Sequence, residues 1–113
     1  MILRDKDKKS LLAIFSTLNI PVEIWAFGSR VSGEAHEGSD LDLVIRTHNL
    51  QKLSNETFLN LKAKIQQSNI PILVELFDWN HLPKGFLKNI ENNHELLFSN
   101  LSTATNNLEK EIQ

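Results

Sequence analysis

The sequence predicts an α/β (α+β) sandwich, a small mixed β-sheet with helices packed against it. Three observations predict it. Three short stretches rich in β-formers are bounded by Gly, Pro or Asp: Val22 to Phe27, Leu41 to Ile45, and Ile72 to Phe77. Longer stretches between and around them repeat apolar residues at the helical period. The resulting order is helix, strand, strand, helix, strand, helix, and a layered sheet is the arrangement that buries all these apolar faces together.

The first helix is expected from about Asp5 to Asn19, because Leu11, Leu12, Phe15 and Leu18 share one helical face and Pro21 lies just beyond. Val22-Glu23-Ile24-Trp25-Ala26-Phe27 alternates as a strand and ends at Gly28. From Ser29 to Ser39 a short helical turn and then a loop are expected, with Gly33 and Gly38 breaking any longer element. The second strand opens at Asp40 and closes near Arg46. A helix from Ser54 to about Gln67 carries Phe58, Leu61 and Ile65, with Ser54 as N-cap; Thr57 in place of Glu or Gln leaves the capping box incomplete. Pro71 announces the third strand, and Pro83 to about Asn92 forms the last helix, with Leu96-Leu97-Phe98 as an apolar anchor behind it. Residues 1–98 thus form one domain. Residues 99–113 read as a polar tail, disordered or partner-binding, in which Leu108 and Ile112 could make one amphipathic turn.

Bulk composition excludes several classes. The 113 residues suffice for one core and not two. A net charge of −2 offers no basic excess for a nucleic-acid backbone, and Lys6, Lys8 and Lys9 are interleaved with Asp5 and Asp7 as on a solvated helix face. The absence of cysteine rules out disulfides and thiolate zinc sites, and His36, His48, His81 and His94 lack ligand spacing. Neither an apolar run of membrane-spanning length nor a signal-type segment is present, so a cytoplasmic protein is expected.

The chemistry concentrates between Gly28 and Asp42. Asp40 and Asp42 stand at i and i+2 on a strand, so their carboxylates leave the same face roughly 7 Å apart, while Leu41 and Leu43 turn into the core. Such a pair is costly without a cation, and hard carboxylate oxygens are what Mg²⁺ takes alongside water and phosphate. Gly28 ending a strand, with Ser29 opening a helical turn, lets a phosphate approach the backbone and the Ser29 hydroxyl; Gly33 serves a tight turn nearby. A common strand-to-helix connection would favour the same residues. It is the succession of cradle and carboxylates on adjacent elements that separates the two readings.

Gly28-Ser29, ten intervening residues, then Asp40-Leu41-Asp42 resembles the signature of the DNA polymerase β-like nucleotidyltransferase superfamily. The fuller string Gly28-Ser29-Arg30, Gly33 and Ser39-Asp40-Leu41-Asp42-Leu43 is similar to the minimal nucleotidyltransferases, the MNT group, which pair with HEPN-domain proteins in toxin–antitoxin modules. The resemblance covers about Trp25 to Phe98 and implies the polymerase β-like fold, two Mg²⁺ ions, and ATP as substrate. It implies Asp40, Asp42 and a third carboxylate as metal ligands and catalytic residues, and places Gly28, Ser29, Arg30, Gly33 and Ser39 around the triphosphate. The family's third carboxylate is usually Asp on a later strand. Here Glu75 stands at the matching place, and Asp78, three residues on, has the wrong strand parity and suits a cap for the turn at Trp79-Asn80. A carboxylate among Leu73, Val74, Leu76 and Phe77 is expensive to bury unless something pairs with it. Arg30 fits either of two roles, a triphosphate contact or a partner for a carboxylate behind the site.

The implied activity is transfer of AMP to a hydroxyl, a tyrosine of a HEPN-type toxin, silencing it. Related antibiotic-modifying enzymes add a second domain for which this chain has no room, which favours a protein acceptor. Two other functions fit the same residues: an antitoxin that neutralises its partner by binding alone, and a nucleotidyltransferase acting on a small molecule.

Overall fold

The helical period at Leu11 and Phe15 produces α1, Asp5–Phe15, whose two apolar anchors are fully buried. The fold is described from a computed structural model for residues 1, 3–33, 40–48 and 52–101. Helix α1 stops four residues before the expected Asn19. Ser16 and Thr17 turn their hydroxyls back to donate to the carbonyls of Ala13 and Ile14, at 2.8 and 2.7 Å. Short polar side chains that bond the backbone this way compete with helical continuation.

Strand β1, Val22–Phe27, runs into Gly28 and the single turn α2, Ser29–Ser32. Strand β2, Leu41–Thr47, returns antiparallel to β1. Helix α3, Asn55–Gln66, begins at the expected cap: the Ser54 Oγ accepts from the Thr57 backbone N–H at 3.1 Å. It carries the chain over to β3, Val74–Asp78, which lies parallel to β2, as a parallel pair requires a crossover. The third strand begins two residues later than expected. Its partner β2 starts only at Leu41, opposite Val74, so Ile72 has no neighbour to pair with. A 3₁₀ turn at Trp79–His81 precedes α4, Lys84–Asn92.

The apolar run after α4 is a strand, β4, Glu95–Ser99, paired antiparallel to β1. Sequence pattern treated it as an anchor because it is five residues long without strict alternation; pairing with β1, across a register shift at Ile24/Trp25, is what makes it a strand. The described strands therefore order as β3-β2-β1-β4. The expected polar tail also starts later than Ser99. Ser99 closes β4, and the Asn100 side chain accepts from the Val22 N–H at 2.7 Å and donates to the Ile20 carbonyl at 2.8 Å. Leu108 and Ile112 lie outside the described residues.

Two faces with different jobs result from strand parity. Leu41, Leu43 and Ile45 point toward α1 and α3 and join the main core with Phe15, Leu61 and Ile65. Each fully buried Leu, Ile or Phe contributes about 1.5–3 kcal/mol, so this side holds the molecule together. On the other side Phe27, Val44 and Ile90 make a smaller cluster under α4, and Asp42, one residue from Val44's neighbour Leu43, emerges on this face. No helix among the described residues is long and apolar enough to cross a membrane.

Candidate active site

Gly28 has φ +83° and ψ −158°, a backbone conformation essentially confined to glycine. It is needed there for a second reason. A Cβ on Gly28 would stand 2.6 Å from the Asp42 Oδ2, so the aspartate occupies the space a side chain would take. The backbone then turns into α2, with the Val31 and Ser32 N–H groups donating to the Gly28 carbonyl at 3.0 Å each. Gly33 ends the turn in the left-handed region at φ +88°, with open space around it. Phe27 stands opposite Asp42 in the β1–β2 register, which brings the Gly28–Ser29 turn and the second aspartate together.

Parallel pairing sets Glu75 opposite Asp42. Burial raises the Asp42 carboxyl above its ordinary range, and the negative charges of Glu75 and Asp40 raise it further. Asp42 thus senses the other two acids expected from the sequence. Asp40 precedes β2 and is exposed. Glu75 is exposed as well, and not embedded among its apolar neighbours, because β3 is an edge strand and the residue looks out of the sheet. Among the described residues, no three His, Cys, Asp or Glu side chains converge as a ready-made metal site.

Asp78 is 7% exposed and does what its spacing suits: its Oδ1 accepts from the Asn80 N–H at 3.0 Å, capping the 3₁₀ turn. Arg30 is buried at 6% exposure, and its charge reaches Asp7 of α1. The bidentate hydrogen bonds of Arg4, at 2.9 and 3.1 Å, hold the Asp7 carboxyl below its usual range against the opposing effect of burial, and Arg30 pulls the same way. Ser39 lies outside the described residues.

A pocket of about 390 Å³ opens beside Asp42. Gly28, Ser29 and Ser32 form one wall, and Phe86 and Asn89 of α4 with Asn93 just past its end another. Sequence reasoning assigned none of Phe86, Asn89 and Asn93 to the site; no signal in the sequence marks which face of α4 the sheet leaves open. It also missed Arg46. Four residues along β2 from Asp42, Arg46 lies over the rings of Trp25 and Trp79, at 4.0 and 4.4 Å, and pairs with Glu23 at 3.3 Å. Its Nε is buried without a hydrogen-bond partner among the described residues. His94, in the connection between α4 and β4, is half-buried: it stacks on Trp25 at 3.6 Å and sets its Nδ1 against the last carbonyls of α4. His48 and His81 are exposed.

A glycine-turned strand end against an Asp-x-Asp strand, in a mixed sheet of order β3-β2-β1-β4, defines a nucleotidyltransferase-type domain. Residues 9–103 match the family "Polymerase beta, Nucleotidyltransferase", and the chain belongs to it. A relative from Haemophilus influenzae, described as a probable protein adenylyltransferase MntA, is 44% identical over 57 residues, which is 50% of this chain. The match spans 47% of that relative's length. Among solved structures, a toxin–antitoxin with AMP-PNP superposes with TM-score 0.66 at 18% identity, covering 94% of this chain and 89% of that one. A complex of tri-AMPylated Shewanella oneidensis HEPN toxin with its MNT antitoxin gives TM-score 0.63 at 14% identity, covering 91% and 78%. At these identities the structural likeness establishes the fold.

Proposed function

We propose that this chain transfers AMP from ATP to a hydroxyl, a tyrosine of a HEPN-type toxin, and so acts as the antitoxin of a cytoplasmic module. The observation that carries the reading is Asp42 seated against the Gly28 turn, with Glu75 beside it on β3. Family membership supplies the reaction class. The description of the Haemophilus relative as a probable protein adenylyltransferase supports a protein acceptor, and the AMPylated HEPN toxin held by its MNT antitoxin supports the partner.

The donor chemistry fits Mg²⁺. Burial and two nearby like charges destabilise the ionised form of Asp42, a cost that a bound cation offsets. Mg²⁺ needs only one or two protein carboxylates when water and phosphate complete its shell, so Asp40 and Asp42 suffice without a preformed three-acid cage. Glu75 would complete the set for a second ion. When bound, such ions supply charge neutralisation at the triphosphate and acidify the acceptor hydroxyl.

The chain's own residues do the rest. The Gly28 turn and the Ser29 hydroxyl hold the β- and γ-phosphates, so the α-phosphorus faces the acceptor. The acceptor oxygen bonds to that phosphorus, the bond to pyrophosphate breaks, and Glu75 takes the proton released by the hydroxyl. Arg30, buried in α2 with its charge acting on Asp7 of α1, supports the turn from behind. Gly33 ends α2 without crowding the phosphates, and Ser39 leads into the first aspartate.

Incubation with the HEPN-type protein encoded beside it, ATP and Mg²⁺ tests this by intact mass. AMP-sized additions on that protein, absent with the Asp40→Asn, Asp42→Asn variant, are expected. A second reading follows from Glu75 standing where the family usually has Asp: an antitoxin that works by binding alone. Stable complex formation without any mass addition would establish that reading instead.

A further inference from the structure

A groove of about 670 Å³ follows β3 from Val74 to Asp78, a run of roughly 13 Å at the strand rise. Phe58 and Ile65 of α3 wall it on one side, and Leu82, just past the 3₁₀ turn, on the other. Within β3, Leu76 packs into the core under α3 while Phe77 packs on the opposite face with Leu82. A groove lined from both faces of a sheet lies along its edge, and among the described strands β3 is an edge. The Leu41 N–H donates to the Leu73 carbonyl at 2.9 Å, so by alternation the main-chain groups of Val74 and Leu76 turn away from β2, toward the open edge. At the lip of the groove Leu73 is 60% exposed.

We propose that the β3 edge holds an extended segment of the acceptor protein as an added strand, with the hydroxyl-bearing residue opposite Glu75. The inference rests on the AMP-transfer reading above and adds the way the acceptor is held. An incoming strand bonds the outward groups of Val74 and Leu76, and its alternate side chains fall to the two faces of the sheet. Those on the α3 side meet Phe58 and Ile65, which calls for apolar residues there. Those on the other side meet Glu75, which lines the groove and stands opposite Asp42 in the β2–β3 register. A hydroxyl residue opposite Glu75 is then one strand spacing, about 5 Å, from the acid assigned to take its proton, and two spacings from Asp42. The groove therefore reaches the reacting groups from the side away from the Gly28 turn, where the triphosphate is held. As the acceptor oxygen bonds to the α-phosphorus and pyrophosphate leaves, the proton has only that one spacing to cross. A second copy of this chain fits the edge less well, because two β3 strands paired together set Glu75 near its own counterpart, and like charges across a strand pair destabilise it.

The test uses the full chain with the HEPN-type protein encoded beside it, ATP and Mg²⁺. Val74→Pro removes one outward N–H at the first residue of an edge strand, a position that tolerates proline. Leu73→Lys puts a charge at the exposed lip. Each should raise KM for the acceptor protein by about tenfold, with kcat and ATP affinity held within about twofold. Melting curves control for folding, and if Val74→Pro melts early, the Leu73→Lys variant decides. Independently, hydrogen exchange in the peptide spanning residues 72–78 of the wild type should slow by about tenfold or more when the acceptor protein is added. An unchanged KM in the folded variants, or no added protection, overturns the docking role and leaves AMP transfer standing. A wild-type chain that dimerises alone by light scattering, and that Leu73→Lys returns to monomer, overturns it in favour of a second copy. A wild type that transfers no AMP overturns both.

Discussion

Replacing Gly28 with alanine should damage this protein in two separable ways. The backbone at φ +83°, ψ −158° lies in a region that costs other residues roughly 1–3 kcal/mol. In addition the new methyl would meet the Asp42 Oδ2 at 2.6 Å, so the carboxylate must rotate off its rotamer, adding about 0.5–1.5 kcal/mol. The total centres near 3 kcal/mol. Gly33→Ala is the matched control: φ is also positive at +88°, but ψ of 4° is ordinary left-handed backbone and nothing lies within 4 Å of the added methyl. Its cost should be about 1 kcal/mol. For a domain of this size 1 kcal/mol moves the melting temperature by roughly 4–8 °C, so the two variants should melt about 8 °C or more apart. Thermal unfolding by circular dichroism measures this. Repeating Gly28→Ala in an Asp42→Ala background isolates the collision, because the backbone strain remains and the obstructing carboxylate is gone. Coincident melting of the two glycine variants, or an undiminished Gly28→Ala cost in the Asp42→Ala background, would refute the account of why glycine stands at 28. Nucleotide affinity should follow the same division, falling for Gly28→Ala and holding for Gly33→Ala at temperatures where both are folded.

Asp42 has its pKa raised in the folded state, so at neutral pH its ionised form opposes folding. That opposition is absent below the ordinary carboxylate range and grows as pH rises through the folded-state pKa. Asp42→Asn should therefore stabilise the chain at pH 7 by about 0.5–1 kcal/mol, allowing for solvent screening at a half-exposed group, with the gain vanishing near pH 3; melting curves against pH check it. Asp78→Ala removes the cap of the 3₁₀ turn and should cost about 1–2 kcal/mol in melting while leaving AMP transfer intact, whereas Glu75→Gln should lose transfer and keep its melting temperature, which compares the two acids directly. Asn100→Ala breaks bonds to the Val22 N–H and the Ile20 carbonyl and should cost about 1–3 kcal/mol, and a chain ending at Phe98 should melt below one ending at Leu101.

Much of the site was legible along the chain because it depends on local rules. Alternation on β2 puts Leu41 and Leu43 in the core and sends Asp42 to the other face, and no tertiary contact can reverse that parity without unburying the core. Ser54 caps α3 and Asp78 caps the following turn because a short polar side chain reaches backbone N–H groups only two or three residues away. The need for glycine at 28 was visible as a strand end meeting a helical turn. The rest required the folded molecule, since it rests on neighbours distant in sequence. Leu96 to Phe98 became a strand only by lying along β1, and Asn100 was drawn from an apparent tail into the fold by groups about eighty residues away. Glu75 is exposed because β3 is an edge, a fact of strand order and not of composition. Arg46, Trp25 and His94 meet only across three separate elements. Phe86 and Asn89 line the Asp42 pocket because Ile90 packs with Phe27 and Val44, and that docking decides which side of α4 remains open.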